Sequence, residues 1–235
     1  MQTAAACVKI IMSPERPVCT HAAEFKRECT GDTMKIVFFG DSITDCDRDR
    51  SDETSLGNGY VKILADKLRP IYPDMDIELI NKGISGNEVC DLLARAKRDV
   101  IDYKPDAVVI MIGINNVIHK FKYGKELNLV QFERDLKALI KLLKDEGIVV
   151  IFLEPFLLPA PDKKRMRPLF NSELEIIHRV CVEMCDEFVA YDEMFNGLCQ
   201  STPYTRFTPD GVHPSFEGSD IIANTAIKAI RKHLM

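Results

Sequence analysis

Tryptophan is missing from this chain of 235 residues. So is any apolar run close to the roughly 20 residues that a helix needs to cross a bilayer, and stable membrane insertion is not expected. A formal net charge of −5 at pH 7 offers no basic surface for nucleic acid or an anionic membrane, so neither is an expected partner. The glycine-rich phosphate cradles G-x-G-x-x-G and G-x-x-x-x-G-K-[ST] do not occur in the first turn, which weakens a nucleotide-binding reading. The eight cysteines include no C-x-x-C pair. Cys7, Cys19 and Cys29 gather near the start with His21, but without zinc-ligand spacing. Asp45, Asp47 and Asp49 imitate the start of a calcium loop, yet Arg50 stands where that loop needs glycine and Leu56 where it needs glutamate. No metal and no cofactor are expected. A chain this long can bury a core without disulfide staples, so reduced thiols in a cytoplasm are the expected state. The start has neither a basic segment nor a cleavage signal, which speaks against a secretory peptide.

What is present is an alternation. Residues 1–33 lack sustained periodicity and read as a flexible extension; residues 34–235 read as one domain. Apolar runs at 35–39, 77–80, 107–112, 148–153 and 188–191 predict five strands. The middle ones are continuous Val/Ile/Leu, as in parallel strands covered on both faces. Between them, Val89, Leu92, Leu93, Ala96, Val100 and Ile101 share one helical face, as do Leu129, Phe132, Leu136, Leu139, Ile140 and Leu143. Asn128 with Gln131 reads as the start of the latter helix and Gly147 as its stop. A weaker helical pattern covers 169–186, and another covers 216–233. The expected fold class is α/β: a three-layer α/β/α sandwich on a five-stranded parallel, flavodoxin-like sheet.

Sites in such folds lie outside the carboxyl ends of the strands. Three polar, glycine-containing segments fall there: Gly40-Asp41-Ser42-Ile43-Thr44, the run from Asn81 through Gly83 and Gly86 to Asn87, and Gly113-Ile114-Asn115-Asn116. Ser42 would stand near a helix N-terminus, where backbone N–H groups can face a developing anion. Gly86 can present another N–H, and Asn115 a neutral amide donor. Far downstream, Asp210 and His213 lie three apart in a loop bounded by Pro209 and Pro214, close enough for the carboxylate to hold one ring nitrogen.

These four segments, in this order over residues 34–235, resemble the SGNH or GDSL family of serine esterases and lipases. The resemblance implies hydrolysis of a carboxylic ester through an acyl-enzyme, with an O-acetyl ester, a lysophospholipid or a thioester as the small-molecule substrate. It implies Ser42 as nucleophile, His213 as general base and then acid, and Asp210 as its orienter. The N–H groups of Ser42 and Gly86 and the Asn115 amide would form the oxyanion hole. Asp41, Asn116 and Arg48 are the expected substrate contacts, with Arg50 beside them. One departure is Asn116, where the family's block often ends in Asp.

Rival readings exist. His119 follows the third segment closely but has no carboxylate near it in sequence. His178 and His233 read as structural or solvated. Segments 119–128 and 155–170, with Phe121, Tyr123, Phe156, Leu157, Leu158, Met166 and Phe170, read as mobile surface or as pocket walls. The apolar members of 155–170 favour acyl chains, whereas Arg48 and Arg50 favour polar substrates. From another class, a flavodoxin-like sheet could carry a non-catalytic small-molecule binding site.

Overall fold

The computed structural model describes residues 33–233; the extension expected at 1–33, its cysteines and His21 therefore lie almost wholly outside the described residues. Five strands, β1 (Met34–Gly40), β2 (Ile77–Asn81), β3 (Ala107–Met111), β4 (Val149–Leu153) and β5 (Glu187–Val189), form one sheet in the order β2-β1-β3-β4-β5. Every pairing is parallel. Every residue of β3 is buried, and so are Ile36 to Gly40 of β1. Each large apolar side chain removed from water in this way contributes about 1.5–3 kcal/mol, which is why these runs lack polar alternation. The last strand runs 187–189 rather than the expected 188–191, because Tyr191 is drawn into the core, where its hydroxyl donates to the Ile222 carbonyl at 3.1 Å.

Among the described residues, eight α-helices flank the sheet: α1 (Ser42–Asp45), α2 (Tyr60–Ile71), α3 (Val89–Asp99), α4 (Ile114–Tyr123), α5 (Leu129–Asp145), α6 (Arg167–Met184), α7 (Asp192–Leu198) and α8 (Phe216–Arg231). α2 packs on α8 along one face, whereas α3, α5 and α6 are successive neighbours on the other. That is the expected three-layer sandwich. α5 starts as foreseen, Asn128 accepting from the Gln131 N–H at 3.0 Å, although the Gln131 side chain turns to Asp135. Three helices escaped the sequence pattern. α2 carries Pro70 in its last turn, α7 is short, and α4 occupies residues read as a turn followed by a loop. The polar pair Asn115-Asn116 and the cations Lys120 and Lys122 blur its apolar stripe.

Because β1 leads to β2 on one side and β3 lies on the other, the chain crosses back over β1, and the crevice at the carboxyl ends of β1 and β3 is the switch point of the sheet. Close approach there demands glycine at position 40. A Cβ on Gly40 would come 2.4 Å from both the Met111 carbonyl oxygen and Thr44 Oγ1. Gly40→Ala is expected to cost about 1–3 kcal/mol of stability through this overpacking, read as a lowered urea midpoint with an unchanged slope.

Candidate active site

Ser42 opens α1, a single helical turn directly after β1. Asp41 caps it, Oδ1 accepting the Ile43 N–H at 3.0 Å. The Ser42 hydroxyl oxygen lies 3.0 Å from His213 Nε2, and His213 Nδ1 lies 2.7 Å from Asp210 Oδ2. A carboxylate accepts only, so Nδ1 carries the proton and Nε2 is left as an acceptor for the serine hydroxyl. Asp210 Oδ1 also takes the N–H groups of Val212 and His213 at 2.9 and 2.8 Å, locking the 210–213 turn. Burial opposes ionisation of Asp210, but the hydrogen bonds from the His213 ring and these two N–H groups prevail and hold its carboxyl below the usual range. The same ring hydrogen bond raises His213 above its ordinary value of 6.5, against the effect of desolvation.

On the other side of Ser42, Asn115 is buried in the first turn of α4. Its Nδ2 donates to the Asn87 carbonyl at 3.0 Å and lies 3.4 Å from Asp41 Oδ2. Gly86 sits at φ +84°, a conformation that favours glycine, with open space where a Cβ would be. Neither the Ser42 nor the Gly86 N–H has an acceptor among the described residues. Three segments from the ends of β1, β2 and β3 thus meet at Ser42, as parallel topology predicts.

The expected substrate contacts fare differently. Asp41 is fully buried; burial first, then countered by the Ile43 N–H and the His213 charge, moves its pKa up to about 6. Its side chain caps the turn, closed off from solvent. Arg48 is equally engaged: its Nε donates to the Gly83 carbonyl at 2.9 Å and its side chain is 9% exposed. Arg50 pairs with Asp45, which is buried and accepts the Ser85 N–H at 3.0 Å rather than lying in a solvated loop. Asn116 is half-buried, and its Oδ1 is sealed from solvent with no partner. In the 155–170 stretch, Phe156, Leu157, Leu158, Met166 and Phe170 are core residues. Finally, His119 does have a carboxylate: Glu88 Oε1 lies 2.5 Å from its Nδ1, a partner 31 positions away that no local spacing could reveal. His178 similarly bonds the buried Glu154.

Comparison with known proteins fits this geometry. Residues 38–221 match the model of the GDSL-like Lipase/Acylhydrolase family. The chain belongs to that family. An acetylxylan esterase from Geobacillus stearothermophilus is 35% identical over 85% of this chain and 95% of its own. The crystal structure of that enzyme superposes with a TM-score of 0.75, covering 83% of this chain and 93% of the other. An arylesterase from Vibrio mimicus is 24% identical over 77% of this chain and 86% of its own. Solved forms of the acetylxylan esterase include catalytic variants of a serine, an aspartate and a histidine. Its aspartate precedes its histidine by three positions, as Asp210 precedes His213. This GDSL-family protein is a carboxylic ester hydrolase, and the reading as a non-catalytic binding module falls away.

Several residues that build the site of this esterase carry no local signal. Arg95, on α3 and 8% exposed, donates to the Gly40 and Lys82 carbonyls at 3.1 and 2.8 Å and to Asn87 Oδ1 at 2.7 Å. Its guanidinium lies 4.3 Å over the Phe39 ring. Its position two turns into an amphipathic helix looks solvent-facing in sequence. Glu173 on α6 is fully buried with both carboxyl oxygens unpartnered, next to Gly113. Desolvation, helped by the Glu88 charge, raises its pKa well above the usual range.

Glu173 ionises more readily unfolded than folded, so its contribution weakens as pH rises from its ordinary 4.5 towards its folded value. The limiting slope is about 1.4 kcal/mol per pH unit. Glu173→Gln is expected to remove that slope and to be the more stable protein at pH 8, measured by urea unfolding of both forms from pH 5 to 8.

Proposed function

We propose that Ser42, His213 and Asp210 are the catalytic triad of this esterase and that its substrates are O-acetyl esters of saccharides. The observation that carries the assignment is the continuous chain of hydrogen bonds from Ser42 Oγ through both ring nitrogens of His213 to Asp210. Ser42 Oγ attacks the ester carbonyl as its proton passes to Nε2, and Asp210 stabilises the imidazolium that forms. The N–H groups of Ser42 and Gly86 and the Nδ2 of Asn115 receive the carbonyl oxygen as it becomes an oxyanion. The second Asn115 proton stays on the Asn87 carbonyl, and its long contact with Asp41 is the one that yields. Collapse breaks the bond to the alkoxy oxygen, which leaves as an alcohol with the Nε2 proton. Water, deprotonated by His213, then cleaves the acyl-enzyme and releases the acid.

Two features support a saccharide ester over a long-chain lipid. The His213 and Asp210 side chains are 49% and 42% exposed, so the triad faces solvent where a bulky polar alcohol can approach. The apolar residues that favoured an acyl chain are in the core. The relative with the greater coverage is an acetylxylan esterase, which points the same way. A reducing, cytoplasmic setting is supported by the free thiols of Cys46, Cys90, Cys181, Cys185 and Cys199. No helix among the described residues is long and apolar enough to cross a membrane.

Ser42→Ala is expected to lower kcat by about four to six decades, and Asn115→Ala by about two to three, on nitrophenyl acetate. Near-normal turnover of the serine variant, or its labelling by a fluorophosphonate at the wild-type rate, would reject the assignment. Across a series from acetyl to dodecanoyl esters, activity should peak at acetyl; a maximum at long chains would restore the lysophospholipid reading. The base must be neutral to accept the serine proton. Log kcat/KM should therefore rise with unit slope at low pH and level off at an apparent pKa above 6.5, the direction in which Asp210 moves His213.

A further inference from the structure

Asn115 and His119 lie four residues apart on α4, hence on one face of the helix. They engage consecutive residues of the segment after β2. Asn115 Nδ2 donates to the Asn87 carbonyl at 3.0 Å, and His119 Nδ1 bonds Glu88 Oε1 at 2.5 Å. Just past the end of α4, which Gly124 closes at φ +69°, Lys125 Nζ reaches the other oxygen, Glu88 Oε2, at 2.5 Å. Glu88 itself is 4% exposed, and its backbone N–H is tied to Asp91 Oδ2 at 2.8 Å, fixing it at the start of α3. A buried carboxylate with donors on both oxygens is a stiff connection, since releasing either donor leaves one oxygen without a partner away from water.

We propose that Glu88, acting through His119, is a positioning residue that sets the two halves of the oxyanion hole against each other. This rests on the reading of Gly86 and Asn115 as oxyanion donors. Gly86 lies two residues before Glu88, and Asn115 lies one helical turn before His119. A single hydrogen bond, Asn115 to the Asn87 carbonyl, would leave α4 free to slide or rotate against the 81–88 segment. The second bond removes that freedom and holds both donors at one distance from the carbonyl oxygen. Donor geometry at an oxyanion matters on the ångström scale, where misplacement can cost about a hundredfold in rate. The clamp therefore acts on the transition state and leaves ground-state binding largely untouched.

Glu88→Gln keeps the shape of the side chain and removes its charge. It is expected to lower kcat about tenfold to a hundredfold with KM within about twofold, and to weaken a boronic acid that forms a tetrahedral adduct on Ser42 by the same factor. The deciding measurement is a double-mutant cycle with Asn115→Ala. If Glu88 acts by placing the Asn115 donor, its substitution should cost less than about threefold once that donor is gone. An equal loss of kcat in both backgrounds, or a loss confined to thermal stability, overturns the clamp while leaving the oxyanion assignment standing. A wild-type rate for Asn115→Ala overturns both. Should Glu88→Gln fail to fold, His119→Phe, which removes the donor to Glu88 from the helix side, takes its place in the same cycle: a kcat loss that vanishes without Asn115 supports the clamp, and an unchanged loss rejects it.

Discussion

The backbone of the 81–88 segment runs against the α1 turn so closely that a Cβ on Gly83 would lie 2.2 Å from the Asp45 nitrogen. That approach is held from several directions. Asn81, buried, donates to the Thr44 and Leu56 carbonyls at 2.7 and 2.9 Å and accepts the Gly83 N–H at 2.8 Å. The Ile84 N–H reaches back to the Gly40 carbonyl at 3.0 Å. Arg48 takes the Gly83 carbonyl, and Arg95 takes those of Gly40 and Lys82. Buried carbonyls need donors, and here two arginines supply them where strand pairing has ended. The turn that presents Ser42 and the loop that presents Gly86 are thereby one rigid piece.

Two aspartates close to the same histidine meet opposite fates. Asp210, half-exposed and bonded by three donors, stays ionised and gives His213 its tautomer and its raised affinity for a proton. Asp41, fully buried with one short backbone bond and one long contact to Asn115, is pushed up to about 6. Environment rather than residue type separates the two roles. One carboxylate holds the His213 ring, and the other shapes the turn that carries Ser42.

The outer parts of the site follow the same logic. The Leu158 N–H bonds the Gly211 carbonyl at 2.8 Å, and a Cβ on Gly211 would meet Ala160 Cβ at 2.9 Å. The 155–166 stretch, apolar and proline-rich, thus backs the loop that carries Asp210 and His213. Its hydrophobicity belongs to packing.

Strand positions, the parallel sheet and the four chemistry-bearing segments were legible because each depends on local pattern: apolar runs of strand length, glycine at forced turns, and Asp and His three residues apart. The short helices α4 and α7 were not, since packing overrode weak periodicity. Nor could the sequence separate polar residues that face substrate from those that build the site. Asp41, Arg48 and Arg50 sit near Ser42 in the chain and read as contacts, yet the fold engages Asp41 with a backbone N–H, Arg48 with a backbone carbonyl and Arg50 with Asp45. Arg95, Glu173 and the Glu88–His119 pair owe their environments to chain segments tens of residues distant. Local chemistry names candidate groups from sequence alone; burial and long-range partners, which set whether a charge is paired, silent or available, exist only once the chain has closed on itself.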